Sequence, residues 1–148
     1  MAENLNDYKV IVNVEYLGDL HCKVHHGPSG HEFITDAPLD NQGKGEFFSP
    51  TDLVGTAMGS CIATIMGIKA RDNKIDIDGL KITVTKEMMN KPYRRINRLS
   101  LDFIFPKRLN DKDFTIMRNV IKTCPVTRSL HPEIEIITQY RFADEIEK

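Results

Sequence analysis

SPTDLVGTAMGSCIATIMGIKAR, residues 49–71, opens like a helix. Ser49 suits an N-cap and Pro50 the first helical position. Asp52, three residues after the cap, can satisfy an orphan amide and complement the positive end of the dipole. Leu53, Val54, Ala57, Met58, Cys61, Ile62, Ile65, Met66 and Ile68 then recur at helical spacing. No charge falls between Asp52 and Lys69, which predicts a helix buried nearly all round. About 20 residues span on the order of 30 Å, the width of a small domain. Cys61 lies mid-helix behind Gly55 and Gly59. Each glycine costs roughly 1 kcal/mol against alanine there, so a close-packed neighbour or space beside the cysteine is expected. On this stretch alone Cys61 reads first as a small core residue.

Outward from the helix, the totals describe one domain over residues 1–148. Apolar residues make 41%, charged residues 28%, and the net charge is −1. That balance offers no electrostatic case for nucleic acid or an anionic membrane. No apolar leader opens the chain, and the apolar part of the helix, residues 53–68, mixes in Thr, Ser and Gly, so neither export nor a membrane span is expected. Three cysteines, an odd number, fit reduced thiols in the cytoplasm.

Ahead of the helix, residues 8–16 alternate, with Tyr8, Val10, Val12, Val14 and Tyr16 on one face. A turn at Leu17, Gly18 and Asp19 leads to a second strand over 20–26, a hairpin, and a third strand covers 31–35. The run HCKVHH holds zinc-type ligands, but along a strand His21 and His25 stand roughly 13 Å apart. No metal is expected from it. Residues 36–46, DAPLDNQGKGE, form a polar loop that is either a pocket mouth or a plain connector. Behind the helix, residues 80–89 and 95–105 alternate as a long antiparallel hairpin. A second helix covers 111–123, with Asn110 as its cap, and a last strand covers 134–142. Between them stands CPVTRSL: Pro125 suits a helix start, so Cys124 falls at a helix N-terminus with Arg128 one turn on. Both features favour a thiolate.

Taken together, SPTDLVGTAMGSC ending at Cys61 and CPVTRSL beginning at Cys124 resemble the OsmC/Ohr family of thiol-dependent peroxidases, in its OsmC-like branch. The resemblance covers nearly the whole chain, including the order of elements. It implies an α+β fold, an intertwined homodimer with antiparallel sheets wrapped around a long buried central helix. It further implies that Cys61 attacks an organic hydroperoxide and that Cys124 resolves the sulfenic acid as a disulfide. Neither cofactor nor metal is implied, and re-reduction falls to a small thiol or a lipoyl-bearing partner. Two positions depart from the family pattern. His21 stands where family peroxidases carry a thiolate-stabilising arginine, and Thr51, with Asp52 beside it, where they carry a supporting glutamate. His21 and Asp52 are therefore the candidate thiolate supports, with Arg94, Arg95 and Arg128 as other sources of charge. The alternative is a member that keeps the fold as a small-molecule-binding or redox-sensing protein.

Overall fold

Alternation and β-branching put residues 12–35 into strands. The computed structural model describes residues 9–146, in two compact units divided along the chain between Pro50 and Thr51. In the first unit β1 (Val12–Gly18), β2 (His21–His26) and β3 (Glu32–Thr35) form an antiparallel sheet in that order. Val14 faces Val24, and Val24 faces Phe33. Tyr8, which the alternation places at the head of the first strand, lies outside the described residues. Leu20 belongs to the turn rather than the strand. Asp19 and Leu20 both take left-handed conformations (φ 52° and 62°), the backbone a tight two-residue hairpin requires. The apolar face of β1 is not covered: Val12, Val14 and Tyr16 are all exposed, and β1 pairs with no second strand among the described residues.

The second unit is built on α1 (Pro50–Asp72). Gly55, Met58, Gly59, Ile62, Met66 and Ala70 are its buried stripe, spaced three or four apart as one helix face demands. That face meets β4 (Lys81–Met89) and β5 (Arg95–Phe105). A Cβ on Gly55 would stand 3.3 Å from Val84 and 3.5 Å from Leu99. The glycines thus mark close helix–sheet packing. The expectation of all-round burial fails, because Thr56, Ala57, Ser60, Thr64, Gly67 and Ile68 form an exposed opposite face. α1 is 23 residues long, and an 18-residue window of it has mean hydropathy 1.4. Length and composition alone would admit a membrane span; packing on the sheet accounts for its apolar stripe instead.

β5 buries alternate residues, with Leu99, Leu101, Phe103 and Phe105 at 2% exposure or less. It pairs antiparallel with β4 but parallel with β6 (Glu135–Phe142), so the sheet is mixed where an antiparallel one was expected. The reason is the connection. Between β5 and β6 the chain runs through α2 (Asp111–Asn119) and α3 (Pro125–Ser129), a crossover long enough to bring it back in the same direction. Asn110 caps α2 as expected, accepting from the Asp113 amide at 2.8 Å. The α-helix stops at Asn119 and tightens to a 3₁₀ turn over Val120–Thr123, short of the expected single helix. Pro125 forces this: the residue before a proline is pushed to extended backbone, and Cys124 has ψ 120°. Phe103 stacks on Tyr140, and Phe114 of α2 packs edge-on against Tyr140 and Phe142, closing the core.

Candidate functional site

Two cysteines distant in sequence converge in the second unit. Cys61 projects from the middle of α1, half-buried, and Cys124 is the fully buried N-cap of α3. The cap is the sulfur itself: Cys124 Sγ accepts from the Thr127 amide at 3.5 Å. The two thiols lie within hydrogen-bonding reach of each other, and the Val126 amide points at both. Burial, then the neighbouring Cys124, pushes the Cys61 thiol up. Burial also pushes Cys124 up, but Thr127 and the Cys61 thiol outweigh it, so Cys124 falls below the ordinary thiol value. The two thiols titrate as a pair, with Cys124 favoured over Cys61 as the thiolate.

Beside the pair runs an open groove of about 360 Å³, lined by Val54, Ala57, Pro125, Val126, Ser129 and Leu130. Ala57 and Val54 sit one and two turns before Cys61, on its side of the helix. The groove is therefore an apolar surface lined by sequence neighbours of both cysteines.

The other expected residues are placed as follows. Asp52 pairs with Lys86 Nζ at 2.7 Å, and the same ammonium donates to Thr51 Oγ1 at 2.7 Å. Nine residues of helix put Asp52 about 14 Å from Cys61 along the axis, so this cluster does not reach the thiols. Lys86 was not anticipated, although alternation puts it on the inward face of β4 with Ile82, Val84 and Met88, a lone charge in an apolar row. The arginines are engaged elsewhere. Arg128 donates to the Lys122 carbonyl at 3.0 Å, not to Cys124. Arg95 donates to the Ile96 carbonyl and pairs with Glu133, and Arg94 donates to Asn90. No arginine is among the largest influences on either thiol. In the first unit His21 meets two carboxylates, its Nε2 3.6 Å from Asp36 Oδ1 and 3.5 Å from Glu46 Oε2. Cys22, half-buried on β2 between Tyr16 and Thr35, belongs to that unit rather than to the dithiol.

An α+β chain with a mixed sheet, a long glycine-bearing helix and a buried dithiol is the class these observations define. The sequence model of the OsmC-like protein family matches residues 43–139, and the chain belongs to that family. It is 48% identical to a protein of Psychrobacter arcticus 273-4 provisionally described as an osmotic stress induced and detoxification response protein. The match covers 88% of this chain and 94% of that one, with a TM-score of 0.83. The organic hydroperoxide resistance protein OsmC of Legionella pneumophila shares the fold at 13% identity (TM-score 0.76, 91% and 98% covered). So does OhrB of Bacillus subtilis, an organic hydroperoxide resistance protein, at 13% identity (TM-score 0.68, 90% and 98% covered). A search of curated proteins gives no match.

Proposed function

We propose that this protein is a thiol-dependent peroxidase that reduces organic hydroperoxides through Cys61 and Cys124. The observation that carries the reading is the paired thiols, one half-buried and one fully buried, with an apolar groove lined by their sequence neighbours. Accessibility supports this division of roles. Peroxide can approach half-buried Cys61, whereas Cys124 at 0% exposure is kept for the second step. The attacking form is the less favoured one of the pair, with Cys61 as thiolate and Cys124 keeping its proton. The Cys61 thiolate displaces alkoxide from the distal peroxide oxygen and becomes a sulfenic acid, and the alkoxide takes a proton to leave as alcohol. Cys124 then attacks the sulfenic sulfur and releases water, so two thiols and ROOH become a disulfide, ROH and H₂O. A thiol or lipoyl reductant restores the pair. The groove favours alkyl and aryl hydroperoxides because their carbon leaves water on binding.

The same reading includes a cytoplasmic homodimer. The uncovered face of α1 and the exposed apolar residues of β1 are surfaces a second copy would cover. One observation favours the second reading, a redox-sensing or small-molecule-binding member: Cys61 is pushed up, with no arginine among the largest influences on it. Intact mass after one equivalent of cumene hydroperoxide separates them. A peroxidase loses two hydrogens, forms a sulfenic adduct in Cys124→Ser and stays unoxidised in Cys61→Ser. An unchanged parent mass rejects the peroxidase.

A further inference from the structure

The loop that follows β3 doubles back on itself. The Asp36 amide donates to the Phe48 carbonyl at 3.1 Å, the Glu46 amide to Asp36 Oδ2 at 3.0 Å, and the Gly45 amide to the Ala37 carbonyl at 3.3 Å. Gly43 permits the closure, because a Cβ there would fall 1.7 Å from the Ala37 carbonyl oxygen. The closed loop carries Glu46 to Asp36, and both to His21 on β2. One nitrogen and two carboxylate oxygens from these residues lie within 4.8 Å of one another.

These contacts are not ordinary hydrogen bonds. His21 Nε2 and Asp36 Oδ1 are both buried without a hydrogen-bond partner, and the Asp36 side chain is only 1% exposed. A charge-assisted bond would draw nitrogen and oxygen to about 2.7–2.9 Å, and one N–H cannot point at two carboxylates at once. Spacings of 3.5 and 3.6 Å instead match neighbouring ligands on one tetrahedral ion, where bonds of about 2.0–2.2 Å set ligand atoms roughly 3.3–3.6 Å apart. The Phe47 ring stands edge-on to His21 at 5.9 Å and gives the site an apolar wall. The Glu46 amide holds the Asp36 carboxyl below its ordinary range, hence ionised. The nearby Lys44 ammonium is tied to Asp19 at 2.9 Å.

We propose that His21, Asp36 and Glu46 bind a divalent transition-metal ion of the zinc type, with the remaining coordination position open on the exposed Glu46 side. One imidazole and two carboxylates form a ligand set such ions accept. The site takes a single residue from HCKVHH, which is why spacing within that run did not reveal it. Bound metal would tie the loop to β2 and would leave His21 unable to serve as a cation for a thiolate.

The test is calorimetric titration of Zn²⁺ into the full chain with Cys22, Cys61 and Cys124 replaced by serine, so that thiolates supply no ligands. One equivalent should bind, and Glu46→Gln, isosteric and at a half-exposed position, should weaken binding at least roughly tenfold with unchanged circular dichroism. In the unsubstituted chain, Mn²⁺, which disfavours thiolates, should selectively broaden the His21 ring resonances. Absence of binding, or Zn²⁺ affinity and Mn²⁺ broadening that Glu46→Gln leaves unchanged, overturns the site and makes the trio a histidine–carboxylate ion pair.

Discussion

Gly59→Ala puts a methyl where α1 and β4 touch most closely, 2.8 Å from Val84 Cγ2. Two opposing quantities can be worked out. Replacing glycine inside a helix gains about 1 kcal/mol of propensity. Forcing a carbon into a filled core costs about 1–3 kcal/mol, towards the upper end here because a β-branched valine has few rotamers to retreat into. The net is a loss of about 0–2 kcal/mol. Gly55→Ala, one turn earlier, is the internal control. Its new methyl would meet Val84 at 3.3 Å, tight but looser than at Gly59, and Leu99 at 3.5 Å, so Val84 need give by only a few tenths of an ångström and most of the gain of about 1 kcal/mol survives. The two variants should therefore differ by about 1–3 kcal/mol, with Gly59→Ala the weaker. With m of about 2 kcal/mol/M for a protein this size, that is roughly 0.5–1.5 M in urea midpoint. Midpoints are compared at one fixed protein concentration, because any self-association adds to apparent stability. Val84→Ala clears the space, so Gly59→Ala in that background should stabilise, with coupling of about 1–3 kcal/mol. If Gly59→Ala matches or exceeds Gly55→Ala, or is additive with Val84→Ala, the glycine is not there for the helix–sheet contact.

Other consequences concern the thiols. Cys61→Ala removes a hydrogen bond that favours the Cys124 thiolate, so Cys124 should titrate at higher pH than in the parent, read by thiolate absorbance. In the reverse variant, Cys124→Ala, the neighbouring charge is lost, so Cys61 should titrate lower than its step in the parent while burial still holds it above an ordinary thiol. Leu130→Ala shortens the groove wall and should lower kcat/KM for cumene hydroperoxide by about tenfold while leaving hydrogen peroxide nearly unaffected, measured by peroxide consumption. Cys22→Ser should leave peroxide consumption unchanged.

Much of the fold is legible in the sequence alone. A 3.6-residue period with a Ser-Pro start defined α1, and Asn110 as a cap and Pro125 as a helix start are local chemistry, set by residues a few positions apart. Both cysteine motifs were visible for the same reason. Local signals could not reveal what long-range closure decides. The parallel pairing of β6 depends on where a crossover ends, and Ile136 opposite Leu99 is written in neither strand. An apolar period cannot say whether a helix is covered on one side or all round, and α1 is covered on one. Side chains that hold charges are likewise chosen by proximity in space: Asp52 took Lys86 of β4, and His21 took Asp36 and Glu46 from a loop folded back by its own amides. The sequence by itself determined the elements, their order and the two thiols, because those follow from periodicity and local backbone chemistry. Only the tertiary structure decided that the Cys124 thiol lies below its ordinary range beside Cys61 and where His21 turns, because electrostatics depends on distances between residues far apart in the chain.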